Sequence, residues 1–132
     1  MLVLQTYNED TERRANIYNW CGAYSFRTDD ERAVALAVHA NSMREKSRSM
    51  RPDRRAEVLA EIDGALPMDD PMVAQALVDG FPAFHTRLLD RIWLTHCDAF
   101  TILRCSDCSR ILKSPHAQQC IWCGADWHVR PS

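Results

Sequence analysis

The sequence predicts a mainly α-helical protein of about five helices that ends in a compact four-cysteine module. Apolar residues make up 46% of the 132-residue chain and charged residues 26%, proportions that favour a globular chain over a disordered one. Apolar side chains recur at helical spacing up to about residue 100, and two cysteine pairs follow. We therefore expect a helical domain over residues 1–100, with residues 101–132 packed on it.

The first two helices are predicted from two capping boxes, at residues 6–9 and 28–31. Both have the pattern T-x-x-E, in which each side chain bonds a free backbone amide of the first turn. The helices should cover residues 8–21 and 29–46. The second helix is expected to bury the apolar residues that recur at helical spacing, namely Ala33, Leu36, Ala37, Ala40 and Met43.

Prolines and one aspartate predict where the next helices begin. Pro52 fits the first turn of a third helix, and Asp70 followed by Pro71 fits the N-cap and first position of a fourth. The clearest amphipathic pattern runs over residues 81–100 and predicts the main core helix. Its apolar stripe consists of Phe84, Leu88, Leu89, Ile92, Trp93 and Phe100.

Two C-x2-C pairs, separated by eleven residues, predict a metal site made of Cys105, Cys108, Cys120 and Cys123. Two thiolates three positions apart on a tight turn can reach one ion, and a second such turn completes a tetrahedral structural zinc site. Gly124 permits the positive backbone angle that such turns use. Residues 101–103 and 110–112 have strand-like composition, so the segment is predicted to be a zinc ribbon.

Other uses of these residues remain open from the sequence. Four thiolates also suit an iron–sulfur cluster, whereas a catalytic zinc would keep an open coordination position. A histidine could replace one cysteine, with His116 the best placed of His96, His116 and His128. Cys21 and Cys97 stand alone and are expected in the core, where reduced cysteine is common.

The chain is predicted to be a cytoplasmic protein without enzymatic activity. Its first ten residues lack a basic start and a signal-type apolar stretch, and no apolar run approaches membrane-spanning length. Six cysteines in the reducing cytosol indicate metal binding more often than disulfides. If the protein were secreted, the six cysteines could instead pair into three disulfides. The sequence contains no nucleophile elbow, P-loop or dinucleotide-binding turn.

The net charge of −2 means that nucleic-acid binding would need a local basic patch. Residues 44–55 provide one, with six basic and two acidic side chains, although such runs are often simply solvated. Trp122 and Trp127 could stack on bases, but we favour a role in covering the metal site. The candidate DNA-binding residues are Arg44, Lys46, Arg48, Arg51, Arg54, Arg55, Arg110 and Lys113.

The last third of the chain resembles the family of the flagellar transcriptional activator FlhC. The resemblance is carried by L-L-D-R-I-W at 88–93, L-R-C-S-D-C at 103–108 and C-I-W-C at 120–123. It implies a DNA-binding transcriptional activator that works in complex with a small helical partner, FlhD. It also implies that the zinc is structural and that the four cysteines are its ligands.

These observations favour a zinc-containing, DNA-binding transcriptional regulator that acts in a complex. The alternative is a small adaptor or inhibitor of phage or plasmid type, with a structural zinc ribbon and no DNA contact. It is suggested by residues 56–86, which contain six acids and no lysine or arginine and could dock on a basic partner.

Overall fold

Five α-helices follow one another along residues 6–127, the part of the chain that this computed structural model describes. The prediction of a mainly helical chain that ends in a four-cysteine cluster is therefore confirmed. Single 3-10 turns follow the first and last helices, at Ala23–Phe26 and Cys97–Ala99. The helices are α1 (Glu9–Trp20), α2 (Asp29–Ser47), α3 (Pro52–Glu61), α4 (Pro71–Ala76) and α5 (Phe81–His96).

The start of α1 differs from the prediction. Asn8 is the N-cap, and its side-chain oxygen accepts a hydrogen bond from the Thr11 amide at 2.9 Å. The capping box expected at residues 6–9 is therefore wrong, because Asn8 caps the helix and Glu9 becomes its first residue. The side chain of Glu9 bonds Tyr7 and Arg104 instead.

The starts of α2, α3 and α4 agree with the prediction. At α2, Glu31 N donates to Thr28 Oγ1 at 3.1 Å and Thr28 N donates to Glu31 Oε1 at 2.7 Å. Pro52 occupies the first turn of α3, and the Asp70 side chain accepts from two amides of α4. Each start is set by residues within one turn, which explains why the sequence identifies it.

The chain forms two compact units, and α5 passes from one into the other between Leu88 and Leu89. One unit covers residues 27–88, and its buried apolar residues are Val34, Ala37, Ala40, Val58, Ile62, Val73, Phe84 and Leu88. The other contains residues 6–26 and 89–127, and it buries Ile17, Ala23, Leu89, Ile92, Phe100, Cys105, Ile111, Leu112 and Cys120. The division at residue 100 stays a prediction.

Two expectations about buried residues are wrong. Leu36 is 43% exposed, because the side of α2 that contacts α3 and α4 buries Val34, Ala37 and Ala40 instead. Cys97 is exposed, because α5 ends at His96 and the chain leaves the helical path in a 3-10 turn. Cys21 is half-buried.

No α-helix within residues 6–127 is both long enough and apolar enough to cross a lipid bilayer.

Candidate metal centre

The first cysteine pair lies on a tight turn that is closed by backbone hydrogen bonds. Cys105 N donates to the Arg110 carbonyl at 2.9 Å, and Ser109 N donates back to the Cys105 carbonyl at 2.8 Å. To close this turn, Ser109 adopts a φ of +64°, in the left-handed region that favours glycine. The sequence pattern around this position gave no indication of that angle.

The second pair repeats the same turn. Cys120 N donates to the Ala125 carbonyl and Gly124 N donates to the Cys120 carbonyl, both at 2.8 Å. Gly124 has a φ of +81°, as the glycine in this place predicts. It therefore occupies in the second turn the position that Ser109 occupies in the first. Two equivalent turns present their four thiols to a common point.

The pairing between the segments is shorter than the predicted strands. Within residues 6–127 the structure contains no β-strand, and residues 101–103 and 110–112 are irregular apart from bridges. One antiparallel bridge joins Arg104 to Ile111 and another joins Gln119 to Asp126. Each bridge directly flanks a cysteine turn, so the backbone bonds serve to close the two turns rather than to build a sheet.

The four sulfur atoms lie together at the distances that a single ion requires. The ligand atoms of Cys105, Cys108, Cys120 and Cys123 are all within 4.8 Å of one another. Two pairs of sulfurs from opposite turns are separated by 3.7 Å and 3.6 Å. A tetrahedral ion with metal–sulfur bonds of about 2.3 Å holds its ligands about 3.8 Å apart. The cluster is thus positioned to hold a metal ion.

Backbone amides already point at these sulfurs. Asp107 N donates to Cys105 Sγ at 3.4 Å. Burial acts to raise the pKa of the Cys120 thiol, but the amides of Cys123 and Trp122 donate to its sulfur and lower the pKa to about 7. Such N–H···S bonds stabilise thiolate, the form of cysteine that binds metal.

The thiols also influence one another. The Ala125 amide lowers the pKa of the Cys123 thiol, but burial and the three neighbouring thiols outweigh it and raise the pKa to about 12. Four thiolates this close together repel one another, so they ionise together only when a cation lies between them. A divalent metal ion bound among the four sulfurs would supply that charge.

A polar face of α1 holds the first cysteine turn from outside. Asn16 Nδ2 donates to the Leu112 carbonyl at 3.2 Å, and Trp20 Nε1 donates to the Lys113 carbonyl at 3.1 Å. The Tyr7 hydroxyl, just before the helix, accepts from the Ile111 amide at 3.1 Å. These bonds satisfy backbone groups that no strand partner satisfies, so the site depends on α1 for its fixed position.

Two ion pairs strengthen the same contact. Arg104 pairs with Glu9, and Lys113 pairs with Glu12 at 2.5 Å. The Glu12 side chain is only 9% exposed, so its charge needs the lysine. Lys113, a predicted DNA contact, is thereby committed to the packing of this unit. Arg110, the other predicted contact in this segment, is exposed and lies over the Tyr7 ring.

The two tryptophans of the second half of the module differ in their surroundings. Trp122 is half-buried beside the cysteines, its Nε1 donates to the Ile111 carbonyl at 3.2 Å, and its ring meets Tyr7 edge-on. It covers the site, as expected. Trp127 donates to the Ala117 carbonyl at 3.0 Å but keeps 40% of its surface exposed.

The described histidines take no part in the cluster. Only the four cysteines form a possible ligand set in the described part of the chain. His116 packs edge-on against Trp20, and His96 packs against Phe26. His128, another candidate, lies outside the described residues.

The predicted basic stretch occupies the end of α2, the following turn and the start of α3. Five of its six basic residues are exposed, and Arg44 is half-buried. Arg51 pairs with Asp53 at 3.8 Å and Arg54 pairs with Glu57 at 3.1 Å. Within residues 6–127 the remaining four have no ion-pair partner, namely Arg44, Lys46, Arg48 and Arg55.

No protein-family model, curated protein or solved structure matches this chain.

Proposed function

We propose that this chain is a cytoplasmic transcriptional regulator that binds DNA through the end of α2 and the start of α3, and that a structural zinc ion organises its cysteine module. It acts by binding and not by catalysis, in complex with a protein partner. The observation that carries the DNA proposal is the group of unpaired basic side chains at 44–55. The observation that carries the zinc proposal is the set of four converging thiols.

Zinc fits the site better than an iron–sulfur cluster does. In such a cluster, bridging sulfides and additional irons separate the thiolates that bind different irons. Here all four sulfurs lie within 4.8 Å of one another, which suits one tetrahedral ion. Four thiolates also fill its coordination shell and leave no open position for a substrate, which is typical of a structural site.

Native mass spectrometry with X-ray absorption tests this identity. We expect one zinc per chain, lost to a strong chelator, and four sulfur neighbours at about 2.3 Å. Zinc has no d–d transitions, so the protein should be colourless. Visible absorption with bound iron would instead identify an iron centre. A metal-free mass that is lower by four hydrogens would indicate disulfides and overturn the proposal.

DNA binding is supported by the freedom of the basic side chains. Lys46, Arg48 and Arg55 are exposed and have no ion-pair partner in the described structure, so their full charge is available to phosphate. Arg51 and Arg54 form exposed ion pairs with Asp53 and Glu57. Such pairs contribute little to stability, so a phosphate can replace the carboxylate at little cost in free energy. The resemblance of the last third of the chain to the FlhC family supports DNA-binding regulation and a helical partner of the FlhD kind, whereas the choice of the basic stretch as the DNA surface is based on charge alone.

The adaptor alternative has less support from the acidic stretch than its composition suggests. Asp70 caps α4, Asp79 pairs with Arg87 and Glu57 pairs with Arg54. Three of the six acids between residues 56 and 86 therefore already have a bonding partner nearby in the chain, although only the Asp70 cap fixes a structural element.

Salt-dependent binding to a fluorescent DNA duplex tests the DNA proposal. The triple variant Lys46→Gln/Arg48→Gln/Arg55→Gln should weaken binding and reduce the slope of log affinity against log salt by roughly three units, because each lost phosphate contact contributes about 0.9. A control with the same net charge adds acids at exposed positions of α3 and α4. It is Ala60→Glu/Ala74→Glu/Gln75→Glu. Equal losses in both triple variants would contradict the assigned surface.

A further inference from the structure

The outer face of α2 carries a line of five residues at alternating spacings of four and three. Seven residues make almost two helical turns, so every seventh side chain returns to nearly the same side, about 10 Å further along. The basic members of the line, Arg32, His39 and Lys46, are all exposed. Leu36 and Met43 lie between them, and Leu36 is 43% exposed.

A groove of about 340 Å³ lies at the N-terminal end of this line. Arg27, Arg32 and His39 form its polar lining, and Ala35 with Leu36 forms the apolar remainder. None of the groove residues is acidic. The groove therefore combines donors for an anion with a small apolar surface.

This face of α2 is not used by the core of its own unit. The buried residues of α2 are Val34, Ala37, Ala40 and Ser47, and α3 and α4 are the helices that α2 packs against most extensively. Three acids lie near the line, and one of them, Glu31, accepts a hydrogen bond from the Thr28 amide in the capping box. Asp29 pairs with Arg32 at 3.0 Å but is fully exposed, and Glu45 is exposed beside Lys46. An exposed pair of this kind contributes little and can be exchanged for a phosphate.

We propose that the backbone of duplex DNA runs along this line, from the groove at Arg32 to the basic turn that begins at Lys46. The proposal rests on the proposed DNA-binding function and extends its surface to Arg27, Arg32 and His39. Charge complementarity selects the occupant, because the line has a cation at each end, and the imidazole of His39 between them can donate a hydrogen bond to a phosphate oxygen. From Arg32 to Lys46 the helix rises about 21 Å, which equals roughly six base-pair steps of about 3.4 Å.

Two exposed aliphatic residues of the same unit provide a matched test. Leu36 is 43% exposed on the line, and Val78 is 74% exposed just after α4. Leu36→Glu places a negative charge among the proposed phosphate contacts and should weaken binding to a random-sequence duplex by about tenfold or more at low salt. Val78→Glu has the same net charge and should leave the affinity within about twofold, because Val78 follows α4 and belongs neither to the line nor to the basic stretch at 44–55.

Two variants of one ion pair should act in opposite directions. Arg32→Gln should lower the affinity and reduce the salt slope by about 0.9, whereas Asp29→Asn should raise the affinity because it frees Arg32 for a phosphate. Circular dichroism and the zinc content of each full-length variant verify that the fold is retained.

The possible failures can be told apart. If the wild-type chain binds no duplex, the proposed function and this extension are both wrong. If the triple variant at Lys46, Arg48 and Arg55 loses binding while Leu36→Glu and Arg32→Gln behave as Val78→Glu does, DNA binding stands and the extension is wrong. The extension is also wrong if Leu36→Glu and Arg32→Gln bind DNA normally but lose binding to a protein partner. The groove would then be a binding site for an acidic helix.

Discussion

Asn16 of α1 donates a hydrogen bond from Nδ2 to the backbone carbonyl of Leu112, 3.2 Å away and 96 residues further along the chain. Asn16 is only 4% exposed, and Leu112 packs directly against the cysteine cluster. The bond thus joins the first helix to the segment that separates the two cysteine turns. The cysteine cluster is therefore held in place by a helix almost a hundred residues earlier in the sequence.

Replacing Asn16 should destabilise the protein much more than replacing Asn19, the exposed asparagine three residues later on the same helix. Asn16→Ala leaves the Leu112 carbonyl without its partner, which should lower the free energy of unfolding by about 1–3 kcal/mol. Asn19→Ala changes an exposed residue of the same helix and should stay within about 0.5 kcal/mol. Urea unfolding of the zinc-loaded variants measures both. Equal effects would mean that the Asn16 bond does not stabilise the module.

Loss of a single ligand should release the metal. Cys105→Ser and Cys123→Ser each remove one of the four thiols, and both variants should lose stoichiometric metal. Amide hydrogen exchange should then accelerate over residues 104–127, because the β-type pairing in this segment consists of isolated bridges that protect few amides on their own. Cys97→Ser is the control, because Cys97 is exposed and lies outside the cluster. A serine variant of the cluster that kept both metal and slow exchange would disprove the ligand assignment.

The two cysteine turns should respond in opposite ways to changes at equivalent positions. Ser109 has a φ of +64°, so Ser109→Gly should relieve backbone strain and stabilise the module by about 1 kcal/mol. Gly124→Ala should destabilise it by about 1–2 kcal/mol through φ alone, since a Cβ there meets no atom within 4 Å.

Competition with a zinc-binding dye reports these changes as metal affinity. Ser106→Gly is the control for a general loosening of the first turn, because Ser106 is not among the residues with positive φ. A drop in affinity for both Ser109→Gly and Ser106→Gly would argue against strain at Ser109.

His85 should make the unit of residues 27–88 less stable in mild acid. Burial lowers the pKa of His85 below its ordinary value of 6.5, so the unfolded chain binds this proton more readily than the folded chain. The histidine's contribution is therefore present above pH 6.5 and is lost as the pH falls from 6.5 through the lower, folded pKa. NMR titration of the ring protons measures the folded pKa directly. In His85→Gln, stability should decline less over this pH range, and a folded pKa at or above 6.5 would refute the assignment.

The sequence was sufficient wherever the cause is local. The N-caps of α2 and α4 depend on side chains within one turn of the amides that they bond, and both were predicted. The clustering of the four cysteines follows from two C-x2-C pairs, because three-residue spacing brings two thiols onto one turn. Gly124 directly follows the second cysteine pair, so its positive φ could also be predicted from the local sequence.

Contacts between distant segments were decided only by the tertiary structure. Asn16 and Glu12 look like ordinary surface residues of a polar helix, yet both are buried because Leu112 and Lys113 return to that face. The same contact commits Lys113 to an ion pair, although its charge alone suggested a DNA contact. The sequence shows which charges a chain carries, but burial and ion pairing depend on which segments come into contact. Only the tertiary structure therefore distinguishes Lys113, which pairs with Glu12, from the unpaired basic residues at 44–55.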